Sequence, residues 1–330
     1  MNIGRNFFLT AGILTAALRL GAVAVDPSLP RFVPDAALSG KLTVATGESM
    51  KPLLQAWVAI FHQAHPGVEV VLDVRDSSYP PKALIAGTAQ VGLMGRLLWD
   101  DEDASLVQAW GGLPQCIAVA GATYNDPKKV QTEAIFVHRD NPIRELTFKQ
   151  LDAIFSSTRR RGATEPVLTW GDLGLTGEWA ARPVHAVMVK TTTGHALFFR
   201  ETVLLSGPWR ANLAEFAEDK VVPEGVVPDR DAIGLTCMPF GSEGARMLAL
   251  AAGDGEGSVP PTLENVVSRR YPLSRLLYLF LRRAPGGSAD PLVREFARVA
   301  LSQEGQTAAL SADFLPFSAA LARAELAKLQ

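Results

Sequence analysis

The amino-acid sequence predicts an α/β protein, and three observations carry that prediction. Short apolar runs alternate with stretches whose apolar residues recur at helical spacing, from residue 42 almost to the end of the chain. Several of these alternations share one design: an apolar strand ends in a polar turn rich in Ser, Thr and Gly, and a helix starts at once. The 330 residues, less an N-terminal leader, are enough for two domains of ordinary size or one large α/β domain.

The leader is residues 1–24. Arg5 gives it a positive start, residues 7–18 are mostly apolar, and Ala22-Val23-Ala24 is an A-x-A cleavage pattern. The apolar run is short for a membrane span and Arg19 interrupts it. Cleavage near Ala24 and export to a periplasm or the exterior are expected. No cysteine stands at the cleavage point, which argues against a lipid anchor.

Beyond the leader, residues 42–45 read as a strand, 46–51 as a polar turn, and a helix starts at Pro52, where the missing proline N–H costs nothing. Leu53, Leu54, Trp57, Val58 and Phe61 share the inward face of that helix. A strand over 68–74 leads to Ser77-Ser78-Tyr79-Pro80-Pro81 and a short helix through Leu84 that Gly87 closes. Strands follow over 91–94, 116–120 and 134–138. Thr147 is the expected N-cap of a helix whose inward residues are Phe148, Leu151, Ile154 and Phe155. After the turn-rich 170–174, a strand over 184–189 runs into Thr191-Thr192-Thr193-Gly194-His195 and a helix carrying Leu197, Phe198, Val203 and Leu204. Residues 232–235 make a late strand, 271–281 fit strand or helix equally, and 291–329 have helical period. The glycine run at 253–258 reads as a turn or hinge, because no helix pattern follows it.

Composition excludes some functions. Removing Arg5 and Arg19 with the leader takes the basic count from 32 to 30 against 34 acidic residues, a net charge of −4. That balance gives no electrostatic footprint for nucleic acid. The one dense basic run, Arg159-Arg160-Arg161, reads as a solvated loop. Cys116 and Cys237 lie in apolar runs; a disulfide and two buried thiols both fit, and without C-x-x-C spacing they predict no zinc site. Gly241-Ser242-Glu243-Gly244 does not match G-x-S-x-G, and none of the five histidines shows H-E-x-x-H spacing. His62 and His65 read as surface residues at a helix end. Neither nucleophilic nor metal catalysis has positive support.

The polar turns point instead to an anion. Residues 47–51, 77–81 and 191–195 each set hydroxyls and amides between a strand and a helix start, where the helix dipole is positive. In open α/β sheets ligands settle beyond the carboxyl ends of strands, where such turns gather. Arg96, after the strand at 91–94, offers a bidentate guanidinium, or else pairs with Asp100, Asp101 or Glu102. Glu48 places a carboxylate in the first turn. A protonated phosphate can donate to it and sulfate cannot, so it favours phosphate.

At these residues the chain resembles the phosphate-binding periplasmic proteins of ABC transporters. Gly47-Glu48-Ser49-Met50-Lys51-Pro52-Leu53 is similar to the family's first turn; Ser77-Ser78, Gly87-Thr88-Ala89, Met94 and Arg96 continue it in order. Residues 134–138, 140–142, 151–156, 169–174, 198–201, 232–234, Tyr271-Pro272-Leu273-Ser274-Arg275 and Glu304-Gly305-Gln306 complete a series that spans most of the mature chain. The resemblance implies the two-lobed type II periplasmic-binding fold, each lobe a mixed sheet flanked by helices. Lobe 1 would be 25–132 plus 259–330 and lobe 2 133–258, with hinge closure on a ligand between them. It further implies a monomeric binding protein that serves importer permease subunits without cofactor or metal. Its ligand site would comprise Glu48, Ser49, Met50, Ser77, Ser78, Arg96, Thr191, Thr192, Thr193, Gly194 and His195. Two positions depart from the family: Gly95 replaces a serine before the arginine, and Thr193-Gly194-His195 stands where Ser-Gly-Thr is usual. Those departures leave room for another oxyanion, a small organic anion, or a scaffold or sensor that no longer transports.

Overall fold

The computed structural model describes residues 23–283, 287 and 289–329. The leader therefore lies, apart from its last two residues, outside the described residues. In chain order the first elements are β1 (Ser39–Gly47), α1 (Lys51–Ala64), β2 (Gly67–Arg75), α2 (Tyr79–Ile85), β3 (Val91–Met94), α3 (Asp100–Trp110) and β4 (Gln115–Gly121). The middle of the chain supplies β5 (Glu133–His138), β6 (Glu145–Thr147), α4 (Phe148–Phe155), β7 (His185–Val189), α5 (Gly194–Thr202), β8 (Ala214–Phe216), α6 (Val222–Val226), β9 (Ala232–Cys237), β10 (Ala245–Met247) and β11 (Ala249–Ala251). Then come α7 (Leu263–Val267), β12 (Leu276–Leu281), α8 (Pro291–Ala300), α9 (Gln303–Ser311) and α10 (Ala319–Ala327).

Two five-stranded mixed sheets result. The first has the order β2-β1-β3-β12-β4, with β1, β2 and β3 parallel and β12 antiparallel to both its neighbours. The second has the order β10-β5-β9-β7-β8, with β7, β8 and β9 parallel and β5 antiparallel to β9. A short parallel pair, β6 with β11, stands apart. Trp57 and Phe61 of α1 bury themselves on the first sheet with Phe296 of α8, and the Trp57 Nε1–H donates to the Gly305 carbonyl at 2.9 Å. Phe155, Trp170 and Phe199 fill the second core, which also takes in Val266, Tyr271 and Leu273 from the chain leading back to β12. Among the described residues no helix is long and apolar enough to cross a membrane.

Several local expectations change. A 3-10 turn over Glu48–Met50 precedes α1, which starts at Lys51 with Pro52 second. The undecided 271–281 splits into a turn and the strand β12, because its apolar residues pair with β3 and β4 on both sides. Thr147 caps α4 as expected, accepting from the Gln150 N–H while Gln150 returns a bond to the Thr147 N–H. The arginine run is not simply solvated. Arg161 donates to the Thr202 and Val203 carbonyls, each at 2.5 Å, and Arg160 to that of Leu205 at 2.8 Å, so the run neutralises the open carbonyl end of α5. His65 is not a surface residue either: it is fully buried, tilted on Phe61 and 3.5 Å from Glu295. The two cysteines are free thiols, Cys237 buried and Cys116 half-buried.

Candidate functional site

The sheet topology builds the site. Because β1, β2 and β3 run parallel, their carboxyl ends share one edge, and the turns after them carry Ser49, Ser77, Ser78 and Arg96 to the same place. The second sheet does likewise with the segments after β7, β8 and β9. Between these edges lies a cleft of about 980 Å³ lined from both sheets, with Ser49, Arg96 and Gln131 on one side and Thr192, His195 and Asp219 on the other.

Of the eleven residues read from the sequence, nine line this cleft: Ser49, Met50, Ser77, Ser78, Arg96, Thr192, Thr193, Gly194 and His195. Glu48 and Thr191 do not. A 3-10 turn advances about 120° per residue, so its three side chains diverge. Met50 packs into the core behind the cleft wall it helps form, Ser49 lines the cleft, and Glu48 is exposed with its carboxylate 3.7 Å from Lys51 Nζ. The acceptor role given to Glu48 is therefore corrected. Thr191 turns outward, its N–H and hydroxyl both bonded to Glu215 at 3.2 and 3.1 Å.

The remaining hydroxyls divide into committed and available. Thr193 caps α5: its Oγ1 accepts from the Ala196 N–H at 3.2 Å and donates to the Lys190 carbonyl at 3.0 Å. Ser78 donates to Asp76 at 2.5 Å. The hydroxyls of Ser49, Ser77 and Thr192 have no hydrogen-bond partner among the described residues, and all three residues line the cleft. Arg96 takes the alternative foreseen for it, a bidentate pair with Glu102 at 2.7 Å through both Nη atoms, and donates to the Leu97 carbonyl at 2.8 Å. Its stem still walls the cleft, and a Cβ on Gly194 would stand 3.4 Å from Arg96 Cδ.

The departure at Gly95 has a physical reason. A Cβ there would meet the Val130 methyls at 2.4 and 2.6 Å, so Val130 occupies the space a serine side chain would need. The Gly95 carbonyl instead accepts from Arg275 Nη2 at 2.6 Å.

His195 ends in a cluster that sequence reading did not foresee. Its Nδ1 lies 2.6 Å from Arg275 Nη1, 3.2 Å from the Cys237 sulfur and 3.4 Å from Glu133 Oε1; its Nε2 faces Asp219 at 3.8 Å. The topology explains the meeting. Glu133 at the start of β5 pairs with Cys237 at the end of β9, His195 and Asp219 follow β7 and β8, and Arg275 immediately precedes β12 on the first sheet. Burial, reinforced by the Arg275 charge, holds the His195 imidazole well below its ordinary pKa, so it is neutral. Burial pushes the Glu133 carboxyl well up, the Asp219 carboxyl up, and the Cys237 thiol well up with Asp219 and Glu133 adding to it. A thiol held in its protonated form is no activated nucleophile. His195, Asp219 and Cys237 place one donor atom each within 4.8 Å of one another.

The family model described as a PBP superfamily domain matches residues 33–304. The phosphate-binding protein PstS of Pseudomonas aeruginosa is 34% identical over 322 residues, 98% of this chain and 96% of that protein. The chain belongs to the PstS family of the PBP superfamily. Solved structures agree on the fold. PstS from Borrelia burgdorferi superposes with a TM-score of 0.58 at 14% identity, over 85% of this chain and 100% of that one. An ABC-type phosphate transport receptor from Vibrio cholerae gives 0.56 at 17%, over 83% and 99%.

Sequence reading missed the cleft residues Asp219 and Arg275, and Glu133 and Cys237 buried behind them. Arg275 was visible as the end of a family motif, without a site role. Glu133 and Cys237 carried no local signal, since each sits at the tip of an ordinary apolar strand.

Proposed function

We propose that this chain is an exported solute-binding protein that captures phosphate between two lobes and hands it to the permease subunits of an ABC importer, without catalysis. The observation that carries the reading is the convergence of three strand-to-helix turns on one cleft, with the Ser49, Ser77 and Thr192 hydroxyls unpartnered beside Arg96. Relatives named phosphate-binding protein support it. The lobes are taken as 25–132 plus 259–330 and 133–258, and the leader as cleaved near Ala24. Amides at the starts of α1 and α5 add donors aimed at negative charge. With Glu48 turned away, acceptors for a protonated oxyanion come from Glu218 and Asp219, both of which line the cleft. A volume of about 980 Å³ is large for inorganic phosphate, so capture includes closure.

Calorimetric titration of the mature chain with phosphate, sulfate and citrate tests this. Phosphate is expected to bind, and Ser49→Ala or Thr192→Val to weaken it about tenfold or more, each removing a bond worth about 1.5–3 kcal/mol to a charged ligand. Silence toward all three anions overturns the proposal in favour of a scaffold. Preference for citrate supports a second reading as an organic-anion binder, which the cleft volume and the Val130-filled Gly95 position favour.

A further inference from the structure

We propose that His195, Asp219 and Cys237 form a binding site for one divalent transition-metal ion of the zinc class, opening on the cleft. The three donors come from the carboxyl edge of the second sheet, with one donor atom of each within 4.8 Å of the others. Cys237 Sγ is 3.9 Å from His195 Nε2 and 3.7 Å from Asp219 Oδ1, and His195 Nε2 is 3.8 Å from Asp219 Oδ2. Tetrahedral zinc, with bonds of about 2.0–2.3 Å, sets donor–donor edges of about 3.3–3.6 Å. The two Asp219 edges end on different carboxylate oxygens, so a rotation of that carboxylate together with a small contraction brings one oxygen to its corner. Cys237 forms the buried floor, while His195 and Asp219 line the cleft, so the fourth corner opens on it.

The donor set selects the ion. A thiolate, an imidazole and a carboxylate suit zinc or cobalt, whereas magnesium and calcium demand oxygen alone.

Glu133 is the independent observation. Its carboxylate is wholly buried, both oxygens lack a hydrogen bond among the described residues, and Oε1 lies 3.4 Å from His195 Nδ1. In the present arrangement Nδ1 accepts from Arg275, so the imidazole proton is on Nε2, toward Asp219. A metal at Nε2 requires the other tautomer. The Nδ1–H then donates to Glu133, and Arg275 Nη1, already 3.7 Å from the same oxygen, turns onto it. Metal binding thereby supplies both donors that the orphaned carboxylate lacks, in the carboxylate–histidine–metal arrangement that tunes such sites. The charges close as well: Glu133, Asp219 and a Cys237 thiolate carry −3, against +1 on Arg275 and +2 on the ion. One metal–sulfur bond forms, and the S–H proton leaves to solvent together with any carboxyl proton on Glu133 or Asp219.

The test uses the untagged mature chain, stripped with a chelator and titrated with cobalt(II) in phosphate-free buffer. One ion per chain is expected, with a thiolate-to-cobalt charge-transfer band that zinc abolishes by displacement. Cys237→Ser should remove the band, Asp219→Asn should weaken binding, and Glu133→Gln should weaken it about tenfold or more. Circular dichroism and urea unfolding establish that each variant is folded; Asp219, at the cleft surface, is the substitution least able to disturb the core. Absence of cobalt binding to the folded wild type overturns the proposal. So does a charge-transfer band that survives in Cys237→Ser or disappears in Cys116→Ser. The optical readout needs no anion, so it stands or falls apart from phosphate binding.

Discussion

Gly95 is a position in the cleft wall where an added side chain would meet a filled space. Val130 fills its Cβ space at 2.4 Å, so Gly95→Ser forces backbone or Val130 to move. Overpacking of this kind costs about 1–3 kcal/mol. Urea unfolding should show that loss, and the double change with Val130→Ala should recover most of it. An undiminished midpoint for Gly95→Ser alone would remove Val130 as the reason for glycine. His195 carries a second residue-scale consequence. Its folded pKa lies well below its ordinary value of 6.5, held there by burial and Arg275 among Glu133, Asp219 and Cys237. Below pH about 6.5 the unfolded chain takes up a proton that the folded chain refuses, so this contribution to stability is present at neutral pH and lost as pH falls. Glu133 works oppositely: its raised pKa favours the folded state at low pH, and that contribution is lost as pH rises above the ordinary carboxylate range. Urea midpoints across pH should therefore fall less steeply toward acid in His195→Gln than in the wild type. Parallel slopes for the two proteins would contradict the assignment.

At the scale of elements, what was legible depended on whether the signal was local. Thr147, just before an apolar helical pattern, announces the cap of α4, and the structure adds the bond that Gln150 returns. The apolar runs at 116–120 and 134–138 became β4 and β5 with small changes of boundary. Residues 271–281 were ambiguous because β12 is chosen by its partners, β3 and β4, rather than by β-branched residues of its own. The arginine run misled for the same reason, since its acceptors are carbonyls of Thr202, Val203 and Leu205, remote in sequence. That remote docking is measurable. Arg161→Ala, which strips two carbonyls at the end of α5, should destabilise by about 1–3 kcal/mol. Arg159→Ala should change stability by no more than about 0.5 kcal/mol. Equal costs in urea unfolding would return the run to the status of a solvated loop.

At the scale of the whole molecule, the parallel strand ends do what no single motif can. They gather turns separated in sequence onto two facing edges, and so the part of the cleft built from turns was readable before the fold was known. The buried cluster was not, because its members sit at strand ends contributed by both sheets and none belongs to a turn motif except His195. Arg275 joins the edges: Nη2 donates to the Gly95 carbonyl after β3 and Nη1 to His195 at the start of α5, both at 2.6 Å. A guanidinium held by Gly95 on the first sheet's side and reaching His195 on the other biases the cleft toward closure, since opening must strip the charge-assisted bond to His195 from a buried group. Removing it alone would leave Glu133 buried without a counter-charge, a loss that mixes stability with motion. The informative variant is thus Arg275→Met combined with Glu133→Gln, which keeps volume and removes both charges. Small-angle scattering should give this variant a larger radius of gyration than the wild type without ligand. Saturating phosphate should bring the two together, because ligand contacts then hold the edges that Arg275 held before. If the ligand-free radii coincide, the bridge follows the arrangement of the lobes instead of setting it.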